Sequence, residues 1–204
     1  MHEKEVIKIL KNELNFPSNS LSSLQIFVKD LLKANKKHNF ISKSTESDIW
    51  HRHILDSAQL VKFINFKKGS LSDLGSGAGF PGLILAIFNS SNDFHVKLYE
   101  KSPVKRAFLS QMCKKLLLNA SIFGNLYDEK LNSDYVVSRA FKKLDEVIQV
   151  SREIVKKPHK LLVLKGQNAQ EDLKKAFKNQ KYAYKLEQSI TNRKSKIILV
   201  EFKK

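Results

Sequence analysis

Asp73-Leu74-Gly75-Ser76-Gly77-Ala78-Gly79-Phe80-Pro81-Gly82 is the stretch on which the reading of this chain turns. A short β-type run at 71–75 leads into it, and a helical pattern over 82–89 leaves it. Glycines at 75, 77 and 79 permit positive φ and let a ligand approach the backbone closely. Pro81 suits a first helical turn, where its missing N–H costs nothing. Counted from Gly75, the dinucleotide pattern G-x-G-x-x-G puts its third glycine at Phe80 and fails there. A phosphate-cradling P-loop needs Gly-Lys followed by Ser or Thr, and the stretch has none. A plain tight strand-to-helix turn is the structural alternative.

Outward from this loop the chain alternates. Further β-type runs lie at 94–100, 120–124, 134–140 and 160–166, with helical patterns at 103–118, 144–156 and 169–179 between and after them. Such alternation predicts an α/β fold with a parallel sheet and crossover helices. The runs at 181–190 and 195–202, joined by a turn through Thr191-Asn192-Arg193, predict an antiparallel hairpin at the sheet edge. Residues 1–65 read as helical. Leu21, Leu24, Phe27, Val28, Leu31 and Leu32 recur at helical spacing, and Ile49, His53, Asp56 and Leu60 share one face of a later helix. Ser44 or Ser47 is placed to cap that later helix. The expected organisation is a helical cap over 1–65 on a core over 66–204, together one integrated domain.

Composition bounds the function. The chain has 204 residues, 37 Lys and Arg against 20 Asp and Glu, and a formal net charge of +17. That field favours a polyanionic partner such as nucleic acid. A Lys-rich composition, 32 Lys to 5 Arg, would give the same excess without such a partner. The single Cys113 excludes a disulfide framework and a Cys-based zinc site. His51 and His53 are two apart and face different ways on a helix, so no metal site is expected. The charged N-terminal stretch lacks the apolar run of a signal peptide, and the most apolar window, Leu83 to Phe88, is far short of a membrane span. The expectation is a soluble, cytoplasmic monomer with no membrane contact.

An acidic residue two before a G-x-G-x-G run looks like the loop that admits the methionine part of S-adenosylmethionine. Five parallel strands followed by a β-hairpin is the layout of methyltransferases that use this cofactor. Glu100 ends the second strand, 25 residues after Gly75, where a carboxylate can accept both ribose hydroxyls. It is otherwise a surface carboxylate beside Lys101. Leu126 and Tyr127, after the third strand, stand where they can offer apolar and stacking contact to an adenine, or pack beneath the neighbouring loop. Arg139 ends the fourth strand and Lys165 the fifth. Ligands of open α/β sheets bind at the carboxyl ends of strands, so both cations are expected to face the crevice of the glycine loop.

Four pieces in order carry a family resemblance: Arg52-His53-Ile54-Leu55-Asp56-Ser57, the loop Asp73–Gly82, Ser138-Arg139-Ala140-Phe141 and Leu164-Lys165-Gly166-Gln167. Asn39-Phe40-Ile41-Ser42 resembles the Asn-Leu turn of the same family. The chain is thereby similar, over about residues 20–202, to the bacterial glucose-inhibited division protein B family, the guanine-N7 methyltransferases of 16S ribosomal RNA. The resemblance implies a Rossmann-like class I methyltransferase fold and S-adenosylmethionine as cofactor. It implies 16S ribosomal RNA as partner, in a 30S subunit or an assembly intermediate. The cofactor set would be Asp73, Gly75, Gly77, Phe80, Glu100, Leu126, Tyr127 and Arg139, with Arg139 and Lys165 orienting the RNA and no metal. Arg52 and Asp56, four apart, read locally as a helical ion pair, while the family reading places their helix over the cofactor site. Asn125-Leu126-Tyr127 departs from the Arg-Ala-Glu of many members, which leaves Asp128 as a substitute carboxylate. No Asn/Asp-Pro-Pro-Tyr signature for an exocyclic amine is present.

Overall fold

In the computed structural model, residues 1–127, 131–177 and 183–203 are described. The chain opens with helices α1 (Glu3–Asn12) and α2 (Ser18–Asn35). A wide π-type turn over Trp50–Leu55 then runs through the short α3 (Asp56–Ala58) into a 3-10 turn at Gln59–Phe63. Neither Ser44 nor Ser47 caps this segment. Ile49 precedes the π turn with no side-chain cap, and Ser44 stands in a separate 3-10 turn, its hydroxyl on that of Ser42 at 3.1 Å.

The remainder alternates as the pattern predicts. The elements are β1 (Gly69–Leu74), α4 (Gly82–Phe88), β2 (Phe94–Tyr99), α5 (Pro103–Lys115), β3 (Ala120–Phe123), β4 (Tyr135–Arg139), α6 (Leu144–Ile154), β5 (His159–Lys165), α7 (Ala169–Ala176), β6 (Ala183–Gln188) and β7 (Lys196–Phe202). Helix α5 ends earlier than its pattern, because Leu117 takes φ +53 and leaves the helical region. Helix α7 ends at Ala176 with Phe177 beyond it, and the remainder of its expected run, 178–179, and the start of the hairpin at 181–182 lie outside the described residues.

The sheet order is β3-β2-β1-β4-β5-β7-β6. The first five strands are parallel, and β7 pairs antiparallel with both β5 and β6. The hairpin therefore closes the sheet by inserting β7 and leaving β6 as the edge. Alternation along the strands supplies both faces. In β5, Leu161 and Val163 join an apolar cluster with Val147, Ile148 and Leu173. Leu162 and Leu164 join the opposite one, which contains Leu83 of α4, Leu109 of α5 and Val6, Leu10, Leu24, Phe27, Leu31 and Ile54 of the N-terminal helices. Those helices thus bury their apolar stripes in the same cluster as one face of the sheet. Among the described residues no helix is long and apolar enough to cross a membrane.

This topology fixes where a ligand belongs. Strand order reverses direction between β1 and β4, and crevices open at such switch points beyond the carboxyl ends of the strands. Leu74 pairs with Tyr99 on one side and Ser138 on the other, so the segments after β1, β2 and β4 emerge together.

Candidate active site

The glycine loop leaves β1 at the switch point and bends through three positive φ values: +77 at Gly75, +57 at Gly77 and +108 at Gly79. The glycines have different tasks. A Cβ on Gly75 would collide with the Phe141 ring, so this glycine permits close packing. A Cβ on Gly77 would meet nothing nearer than the Gly75 carbonyl at 3.9 Å and would point into open space. Gly77 therefore keeps a cradle empty. Counted from Gly77, the loop also reads G-x-G-x-x-G through Gly82. Gly82 fills the role of the third glycine, since its Cβ would run into Leu98 and lie 2.5 Å from Asp73 Oδ2. Spacing alone thus does not exclude a dinucleotide.

Asp73 stands behind the loop. It is fully buried, and its Oδ2 accepts the N–H of Gly82 at 3.0 Å. Burial, opposed by hydrogen bonds from Ser76 and Gly82, pushes its carboxyl up to about 7. Asp73 braces the loop and does not line the cavity in front of it. Glu100 does line it. Its Oε2 accepts the N–H of Gly77 at 2.8 Å and its Oε1 that of Ser102 at 2.7 Å. A carboxylate has about four lone-pair positions, so this anchoring leaves acceptor capacity towards the cavity. Pro81 precedes α4 as its N-cap, one place before the expected first turn.

The cavity in front of the loop has a volume of about 400 Å³. Gly75, Gly77, Phe80, Glu100, Leu126, Tyr127 and Arg139 all line it. Leu126 is buried and Tyr127 is exposed. Lys101, Lys105 and Lys142 make its wall cationic, while Phe40 and Phe141 contribute apolar surface. Asp128 lies outside the described residues.

Beside it lies a second cavity, of about 440 Å³. Arg139, His53 and Ala140 belong to both. Lys165 lines only the second, with Arg52, Lys196, Ser189 and Ser195, and its Nζ pairs with Asp172 at 2.7 Å. Arg139 and Lys165 thus share the second cavity, but the expectation that Lys165 faces the crevice of the glycine loop is corrected. Arg139 stands on the divide, and Lys165 stands on the far side of it.

Beside Arg139, the divide is built by Ala140 and His53, to which sequence reading assigned no role there. Ala140 takes φ +51, a conformation rare without glycine. This kink follows the end of β4 and separates Arg139, turned towards His53, from Phe141, turned over Gly75. Arg139 donates to the Arg52 carbonyl at 3.0 Å, to Asp56 Oδ2 at 3.3 Å and to His53 Nδ1 at 2.5 Å. Its guanidinium also lies over the Phe80 ring, 5.1 Å from the centroid. Asp56 pairs with Arg139 and not with Arg52, because the helix carries Asp56 towards the strand ends. Asp56 Oδ1 accepts from Thr191 Oγ1 at 2.9 Å, and Gln59 Nε2 donates to Ser189 Oγ at 3.1 Å. The turn of the C-terminal hairpin is thus clasped to the N-terminal helical segment. The signal in the sequence was polar residues, His53 and Asp56, on an otherwise apolar helix face.

Among the described residues no three His, Cys, Asp or Glu side chains gather as a metal site. In solved structures the fold recurs at low identity. A methyltransferase from Aquifex aeolicus, described as SAM-dependent, superposes with a TM-score of 0.55 at 12% identity, covering 85% of this chain and 97% of that one. M. jannaschii TYW2 in complex with AdoMet gives 0.53 at 18% identity over 73% and 74%. Sequence relatives are nearer. The ribosomal RNA small subunit methyltransferase G of Pelagibacter ubique is 34% identical over 95% of this chain and 93% of its own. That of Rickettsia typhi is 36% identical over 92% and 96%. The family model GidB, rRNA small subunit methyltransferase G, matches residues 20–199, and the chain belongs to that family.

Proposed function

We propose that the protein transfers a methyl group from S-adenosylmethionine to N7 of a guanine in a loop of 16S ribosomal RNA. The observation that carries this reading is the pair of adjoining cavities divided by Arg139 and His53, one holding the glycine loop and the other lined by Arg52, Lys165 and Lys196. The first cavity fits the cofactor. Gly77 keeps a cradle free of side chain, Glu100 presents a carboxylate for ribose hydroxyls, and Leu126 and Tyr127 offer apolar and stacking surface. When bound there, the cofactor supplies an activated methyl group on a sulfonium.

The residues of the chain then have limited work to do. Guanine N7 carries an in-plane lone pair and no proton, so no base has to be held at the divide. Transfer forms the N7–methyl bond as the sulfur–methyl bond breaks, and moves one positive charge without creating one. Alignment of the two reactants accounts for much of the rate. Arg139 orients the RNA at the divide, and Lys165 contacts phosphate or the guanine O6 edge from the second cavity. Asp73 supports the cofactor indirectly, through Gly82 and the loop. The acceptor has to be a loop or a partly assembled particle, since an A-form duplex hides N7 in its deep groove. We read the partner as the 30S subunit or an assembly intermediate. We read the protein as a cytoplasmic monomer in which the cap over 1–65 is integrated with the core over 66–204.

Radiolabelled methyl transfer offered to 30S subunits, 16S ribosomal RNA, bulk protein and a metabolite pool tests this, with modified guanines mapped by strand cleavage at 7-methylguanine. Label confined to one guanine of the small-subunit RNA is expected. Label in protein or metabolite, with none in RNA, overturns the reading.

A further inference from the structure

We propose that His53 is a positioning residue for methyl transfer, accepting the Arg139 guanidinium on Nδ1 and so holding it at the divide between the two cavities. This rests on the acceptor reading above, because the divide matters only if donor and acceptor occupy its two sides.

Hydrogen-bond direction fixes the imidazole. Arginine is donor-only, so the 2.5 Å contact between Arg139 and His53 Nδ1 requires an unprotonated Nδ1. The proton of a neutral ring then resides on Nε2, 3.0 Å from Thr45 Oγ1. Thr45 accepts that hydrogen bond and donates its own hydroxyl to the Ser42 carbonyl at 2.9 Å. The chain from Arg139 to Ser42 therefore runs in one direction. Ring stacking of His53 on Phe80, with centroids 4.9 Å apart, sets the plane of the imidazole.

The charged groups around the ring agree with this. Burial first, then the cations Arg139 and Arg52, depress the His53 pKa to about 3, with Asp48 opposing. A second proton would replace the acceptor facing Arg139 with a donor and set two cations in contact. On its other side Arg139 is held by Asp56 and the Arg52 carbonyl. Asp56 pairs with the guanidinium, but this contact and that of the Arg52 carbonyl are both made by Nη1. The imidazole holds Nη2 as a separate anchor and adds no charge.

Two substitutions separate the contact from the packing. His53→Asn places an acceptor oxygen near the position of Nδ1. His53→Gln reaches towards Thr45 and leaves Arg139 without that acceptor. Both lose the ring stack on Phe80, so a purely structural role affects them alike. We expect His53→Gln to lower kcat for small-subunit RNA about ten- to a hundredfold, as expected of a misplaced reacting group. His53→Asn should recover most of that loss, while S-adenosylhomocysteine affinity should change equally in the two variants, since both lose the same stack on Phe80 and leave Gly77 and Glu100 in place. Equal kcat values in the two variants overturn the proposal. The wild type offers a readout independent of turnover and of variant folding. Nitrogen-detected NMR of the imidazoles should show His53 as the Nε2–H tautomer, with no titration above about pH 5. An Nδ1–H tautomer, or a titration near pH 6.5, overturns it as well. Wild-type protein that methylates no small-subunit RNA defeats the acceptor reading instead, and the tautomer still decides the His53 contact.

Discussion

Asp73 Oδ2 accepts the backbone N–H of Gly82 at 3.0 Å, so a fully buried carboxyl ties the start of α4 to the end of β1. Among the described residues the other carboxyl oxygen has no hydrogen-bond partner. Desolvation is the main cause that pushes this group from 3.8 up to about 7. The folded protein therefore holds a proton that the unfolded chain releases above about pH 4. The associated stability is complete below about pH 4 and is lost as pH rises through about 7, at up to ~1.4 kcal/mol per pH unit. Asp73→Asn keeps an acceptor for Gly82 and cannot ionise. Urea denaturation from pH 5 to 8 should show the variant gaining on the wild type up to about pH 7 and levelling off above it. A difference that does not change with pH would mean Asp73 is ionised throughout.

Gly77 and Gly82 predict opposite failures. Gly77→Val places its side chain in the open cradle and adds a left-handed backbone cost of about 1–2 kcal/mol. The fold should survive, with S-adenosylhomocysteine binding reduced below detection by calorimetry. Gly82→Ala forces a Cβ against Leu98 and Asp73, an overpacking cost of about 1–3 kcal/mol, so its melting temperature should fall. Wild-type cofactor affinity in Gly77→Val removes the assignment of that cavity.

Lys165 lines only the second cavity. Lys165→Ala should therefore leave S-adenosylhomocysteine affinity intact and reduce methyl transfer to ribosomal RNA about tenfold, ~1.4 kcal/mol. Association of the wild type with RNA should weaken as salt rises, since bound lysines displace counterions. Filter binding across a salt series, beside transfer rates, checks both. Unchanged transfer in Lys165→Ala sinks its role with the acceptor.

Asp56 faces Arg139 on one side and Thr191 on the other. The Asp56 and Arg139 side chains are 19% and 18% exposed, so the pair is largely but not wholly withdrawn from water. Asp56→Ala should cost about 2 kcal/mol, less than the loss of a partner in a fully buried pair. It should also loosen the turn at 189–195, raising amide exchange there beyond the global change. Urea denaturation with hydrogen exchange measures the two effects separately. Exchange in that turn equal to wild type would show that the clasp does not depend on Asp56.

The sequence by itself determined the α/β alternation, the closing hairpin and the loop at 73–82. These are local matters: apolar period, glycine and proline chemistry, and the requirement that a strand ending in glycines turn into a helix. The four matching segments determined the family as well, because their order and residue types need no coordinates. Tertiary structure decided how those segments meet. Local spacing pairs Arg52 with Asp56, yet Asp56 binds Arg139, 83 residues away. Chain direction alone put Arg139 and Lys165 at the crevice of the glycine loop, but the folded chain has two cavities there, and Lys165 reaches only the one that it shares with Arg139. The partner of His53 depends on packing a π-type turn against the end of β4, and no short-range pattern encodes it. Long-range polar pairing is settled only when burial forces each donor to find its acceptor, which is why the divide of the site became legible only in the folded chain.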